Sequence, residues 1–256
     1  MRVNLRLSVF VRFALAGLVF VAVAQADTVV PDLVNVTGPY ASQLNLTTSP
    51  NYELINWPSS TGVWLWRERE VYAPVNVPVN LDPANSNWLA GTQYGPSASN
   101  PPYAFTNVTG VVPGGTLINS YLIHARWVSG AAITPSFTLE FNFPVLGVIA
   151  LNTTYGGVYR YLTTSDYLGH PNVYAYPRSW ADDRGLDAAD SADWVQLDST
   201  RKFLTVSLGL ASGEANSYDQ IRILTAAPEP AAIALFGTVA AVLLGAVRWR
   251  KRRARS

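Results

Sequence analysis

The stretch Phe137-Thr138-Leu139-Glu140-Phe141-Asn142-Phe143 decides how the rest of the chain is read. Its four apolar residues alternate with Thr138, Glu140 and Asn142, and in an extended chain successive side chains point to opposite faces. One face is therefore buried and the other wet, and Pro135 and Pro144 bound the strand because proline brings no ladder donor. Weaker patterns of the same kind run at Val63–Val71, Val75–Val79, Tyr121–Trp127, Leu146–Asn152, Lys202–Leu208 and Gln220–Leu224, set off by Gly, Pro, Asn and Ser. With no long 3.6-residue apolar period among them, the pattern predicts an all-β domain, an antiparallel β-sandwich of jelly-roll or immunoglobulin-like type. The segment Pro83–Thr116 is loop-rich and is expected to join two sub-layers or to hold a short hairpin of its own.

Composition narrows the function classes. The 256 residues include no cysteine, which excludes disulfides, thiolate metal sites and cysteine nucleophiles. Half of the 18 basic residues sit in the two chain ends, so residues 27–227 hold nine basic against 16 acidic side chains, a net charge of −7. No nucleic-acid partner is expected of an acidic domain without a clustered basic face.

The ends have their own logic. Arg2, Arg6 and Arg12 precede the apolar run Phe13–Ala24, and Ala24-Gln25-Ala26 fits the small-x-small pattern of signal peptidase. Residues 1–26 therefore read as a signal peptide for the Sec machinery, cut between Ala26 and Asp27; as an uncut anchor, 12 apolar residues are short for a span. At the other end Pro228-Glu229-Pro230 is followed by Ala231–Val247, 17 residues without a charge and about 26 Å long as a helix. Arg248, Arg250, Lys251, Arg252, Arg253 and Arg255 come next, a basic tail of the kind held on the cytoplasmic side of a membrane helix. The prolines disfavour helix just before them and keep the tripeptide extended and reachable.

These three parts in this order resemble the PEP-CTERM sorting signal of Gram-negative bacteria. The resemblance covers residues 227–256 and implies that the chain is a substrate of exosortase, which acts near the Pro-Glu-Pro and passes its substrates toward the cell surface or extracellular matrix. A permanent single-pass anchor in the inner membrane is the alternative. A softer resemblance, to PEP-CTERM surface proteins of undefined function, rests on Leu117–Trp127, Phe143–Ile149, Thr164–Gly169, Arg184–Asp187 and Asp219–Ile223. It implies export and a β-sandwich over residues 27–226 without naming a ligand.

The candidates for chemistry are few. Only His124 and His170 are available, no Gly-x-Ser-x-Gly elbow occurs, and His124 reads as a satisfied structural residue. Glu68 and Glu70 would share one face of the Val63–Val71 strand and Arg67 and Arg69 the other. That is a carboxylate pair fit for glycoside chemistry or a charged edge that deters aggregation. Asp182, Asp183, Asp187, Asp190 and Asp193 offer oxygens for Ca2+ or a solvated acidic loop, without the EF-hand spacing. Trp64 and Trp66 share a face and either fill the core or form a platform for sugar rings. The expectation is an exported, structural or adhesive protein without an enzymatic cofactor, with exopolysaccharide as a partner. Its rival is a carbohydrate-binding module or glycoside-active enzyme.

Overall fold

A computed structural model describes residues 30, 32–47, 62–96, 103–127, 132–151, 162, 165–169, 185–186, 192–210 and 217–228. Residues 1–26, read above as a signal peptide, with Asp27, Glu229, Pro230, the apolar run 231–247, the basic tail and Asp182, Asp183, Asp187 and Asp190 lie outside the described residues.

The described residues are all-β, in keeping with the alternation of Phe137–Phe143. The described residues form thirteen strands, β1 to β13 in chain order, and three 3-10 turns. A six-stranded sheet runs β1 (Leu33–Thr37), β9 (Ser136–Phe141), β12 (Phe203–Ser207), β11 (Trp194–Leu197), β5 (Gln93–Gly95), β6 (Tyr103–Ala104). A five-stranded sheet runs β10 (Val145–Ile149), β13 (Ser217–Ala226), β8 (Leu117–Trp127), β3 (Gly62–Tyr72), β2 (Leu44–Thr47). The last two strands, β4 (Val77–Val79) and β7 (Gly110–Val112), pair with each other. The interior pairs are antiparallel, but β2 lies parallel to β3 and β6 parallel to β5, so the edges depart from the wholly antiparallel expectation.

In β9, Phe137, Leu139 and Phe141 are buried while Thr138 and Glu140 are half-exposed, with Thr138 bonded to Thr205 on the neighbouring strand at 2.8 Å. The buried residues join one apolar cluster drawn from both large sheets, including Val63, Leu65, Tyr121, Ile123, Ile221 and Ile223. The Tyr121 and Phe141 rings lie 5.2 Å apart across it. A second cluster covers the opposite face of the five-stranded sheet, where Trp64, Trp66, Leu122 and Leu224 meet Val77, Val79 and Val112 of the small sheet and Leu162 and Leu168. The five-stranded sheet is thus buried on both faces, and its strands lose the apolar/polar alternation that marks a half-wet strand.

Local chemistry sets the boundaries. β9 ends at Phe141, where the next residue, Asn142, donates its N–H to the Asp32 carbonyl at 2.8 Å as the last bond toward β1. The expected strand from Val75 begins only at Val77, with Val75 in an exposed turn. The chain after β4 crosses β10: the buried Asn80 Oδ1 accepts from the N–H groups of Ala150 and Leu151 at 2.8 and 2.9 Å. A Cβ on Gly147 would come within 2.6 Å of Val79 Cγ1, so this crossing needs glycine. The segment 83–116 neither forms a hairpin of its own nor stays loop throughout; β5 and β6 extend the six-stranded sheet and β7 pairs with β4.

Candidate functional site

The run Arg67-Glu68-Arg69-Glu70 sits on β3, which pairs with β8 along the run, while its pairing with β2 covers only Val63–Trp66. Arg67 stands opposite Tyr121 and Arg69 opposite Ser120, so Glu68 is an extra residue, a β-bulge. The bulge undoes the two-residue alternation. Glu68 turns to the side of Trp66 and is buried, whereas Arg67 and Glu70 meet at 2.7 Å with much of their side chains in water. Glu68 and Glu70 therefore do not share a face, which overturns the paired-carboxylate expectation, and the buried Glu68 is no part of a solvated charged edge.

Glu68 is matched by Arg222, which alternates with Ile221 and Ile223 on β13 and points away from the main core into the second one. Both side chains are fully buried. Arg222 Nε donates to Glu68 Oε2 at 2.6 Å and Nη2 to Glu68 Oε1 at 2.9 Å and Asp166 Oδ1 at 3.3 Å. Nη1 donates to the Leu162 carbonyl at 3.1 Å and to Ser165 Oγ. Those five contacts use the full donor set of a guanidinium. The Ser120 hydroxyl adds a bond to Glu68 Oε2 at 2.6 Å, and Arg69 donates to the Tyr167 carbonyl at 3.0 Å. Burying two ions costs several kcal/mol each unless geometry and hydrogen bonds compensate, and here the donors are met. The cluster pins Leu162 and the 3-10 turn Asp166–Leu168 to the sheet.

Sequence reasoning did not single out Arg222, Ser120, Ser165 or Asp166 as site residues. A usable signal was present: three of the segments carrying the softer resemblance, Leu117–Trp127, Thr164–Gly169 and Asp219–Ile223, meet at this arginine.

Beside it lies an aromatic row. Trp64 stands opposite His124 on β8, with ring centroids 6.0 Å apart, and Trp66 lies 6.5 Å from the same imidazole. His124 Nδ1 shares a hydrogen bond of 2.9 Å with Gln220 Nε2. His124 is thus the structural residue expected of it. Trp66 is 0% and Trp64 8% exposed, which corrects the platform expectation: these indoles fill the second core and offer no face to a sugar ring.

A second polar group lies on the opposite side of β3. Asp32, whose φ of 67° is left-handed, accepts from Asn119 Nδ2 at 3.0 Å and Tyr121 Oη at 3.5 Å, and Asn119 Oδ1 accepts from Arg67 at 2.6 Å. Burial pushes the Asp32 carboxyl above its ordinary value, with Arg67 opposing. Burial, then the Asp32 charge, pushes the Tyr121 hydroxyl well up and keeps it neutral. The group ties the entry to β1, in the six-stranded sheet, to β8 in the five-stranded one.

Of the acidic run only Asp193 is described; it is buried and accepts from the Gly209 N–H at 2.6 Å. Among the described residues no group of three His, Asp or Glu side chains is placed to hold a metal, and no helix is long and apolar enough to cross a membrane. No family model, curated protein or solved structure matches the chain.

Proposed function

We propose that the chain is an exported cell-surface or extracellular-matrix protein, with a β-sandwich ectodomain over residues 27–226 and a PEP-CTERM-type sorting signal over residues 227–256 read by exosortase. The observation that carries this reading is the order of Pro228-Glu229-Pro230, the charge-free Ala231–Val247 and the basic cluster from Arg248 to Arg255. Its place relative to the fold supports it. β13 ends at Ala226, the Ala227 N–H donates to the Leu117 carbonyl at 3.2 Å, and Pro228 is exposed. A cut from Pro228 onward leaves every described strand pair intact. The apolar cluster shared by the two large sheets supports the sandwich.

The role is structural or adhesive, in a matrix where exopolysaccharide is the expected neighbour. Among the buried carboxylates, Glu68, Asp32 and Asp193 are engaged in internal contacts, which favours a scaffold over catalysis. Fractionation of producing cells with and without the sorting enzyme tests the reading. Transfer of the protein from the inner membrane to the surface or medium only when the enzyme is present is the expected result. The same inner-membrane location in both cells would leave a permanently anchored periplasmic domain instead.

A further inference from the structure

Tyr72 on β3, Leu117 on β8 and Ala226 on β13 end together at one edge of the five-stranded sheet: Tyr72 stands opposite Leu117, and Ala226 opposite Ile118. Two turns close this edge. The Ala73 N–H donates to the Thr116 carbonyl at 2.9 Å, the Gly115 N–H to the Ala73 carbonyl at 2.7 Å, and the Gly114 N–H to Asn76 Oδ1 at 2.9 Å, which locks the turns side by side. The surface they present is apolar. Tyr72 is 53%, Val75 58% and Val111 47% exposed, with Pro74, Pro113, Gly114 and Gly115 exposed among them. No residue in 71–81 or 108–118 carries a charge, in a chain that is 14% charged.

The same edge is where the chain leaves toward the charge-free C-terminal run. Only Ala227, Pro228, Glu229 and Pro230 separate the end of β13 from the charge-free run that starts at Ala231. Fully extended, four residues reach about 14 Å. The headgroup layer on each side of a bilayer is roughly 5–8 Å deep.

We infer that the edge formed by Tyr72, Val75 and Val111 rests on the lipid bilayer that holds the C-terminal segment, a proposal that depends on residues 231–247 being a membrane helix. The short connection brings the edge to the headgroups, where an uncharged surface loses little on leaving water and a tyrosine keeps its hydroxyl wet. Until the chain is cut, the domain is then held with one end against the membrane and the Pro-Glu-Pro between domain and bilayer.

The cysteine-free sequence gives a direct test, because each Cys introduced into the full chain is a single labelling site. Val75→Cys, Ala132→Cys and Ala240→Cys, each carrying an environment-sensitive fluorophore, are reconstituted in vesicles containing nitroxide-labelled lipids. Ala132 is exposed and follows the far end of β8, about 33 Å along that strand from Leu117. The expected result is several-fold stronger quenching at Val75 than at Ala132 by headgroup-level nitroxides, with Ala240 quenched by deep ones. Val75 quenched no more than Ala132 while Ala240 is quenched would overturn the docking edge and leave the membrane helix standing. An unquenched Ala240 would overturn the membrane helix and the docking edge with it.

Discussion

Glu68–Arg222 and Arg67–Glu70 are both arginine–glutamate pairs seated on β3, with their β3 partners adjacent in sequence, yet they sit in opposite environments. The first has both side chains fully buried and accepts support from Ser120, Ser165, Asp166 and the Leu162 carbonyl. The second is 23% and 38% exposed and its Arg67 also reaches Asn119. One bulged residue separates the two outcomes. What differs is the water around the pair, and burial raises the cost of removing a partner far more than it raises the net worth of the pair.

The largest effect is expected from Glu68→Gln, which leaves Arg222 buried without its counter-charge and should lower unfolding free energy by about 3–5 kcal/mol in urea titration. The double change Glu68→Leu with Arg222→Met should lie closer to the parent than Glu68→Gln; a double variant that is worse would show that the pair stabilises the fold outright. Ser120→Ala should cost about 1.5–3 kcal/mol by the same assay, the range for a hydrogen bond to a charged group. Glu70→Ala, at a partly exposed position, should cost about 0–1 kcal/mol and even less in high salt. If Glu70→Ala equalled Glu68→Gln, burial would not be what separates the pairs.

The smallest effect is one of pH. Burial lifts the Asp32 carboxyl above 3.8 against the pull of Arg67, so the folded chain holds this proton more tightly than the unfolded chain. The group's contribution to stability is therefore present below 3.8 and declines as pH rises through the raised value. In urea midpoints from about pH 3 to 6, the stability of the parent relative to Asp32→Asn should fall with rising pH, and a rise would contradict the assignment.

Much of the fold was legible where strands face water on one side. β9 and β12 follow their expected spans to within two residues at each end, and β3 does so as well. β8 and β13 run longer than read, because strands buried on both faces, such as Leu117–Ser120, carry no alternation to find. β2, β5, β6, β7 and β11 escaped for a related reason, each having two to four residues, too few to set a period, and β1 escaped because its five residues are broken by a register shift between Leu33 and Asn35. The buried ion pair escaped because its halves lie 154 residues apart, and the split of Glu68 from Glu70 escaped because it depends on a bulge that strict two-residue alternation excludes. His124 was legible as an interior residue, since no catalytic partner motif accompanies it, and it lies buried with its Nδ1 sharing a hydrogen bond with Gln220 on the adjacent strand.

The most direct test of the account is the intact mass of the protein recovered from its producing cell. It predicts a chain that starts at Asp27 and ends between Ala227 and Ala231, the strands complete and the apolar run and basic tail gone. A recovered chain that still carries residues 231–255 would contradict sorting by cleavage at the Pro-Glu-Pro.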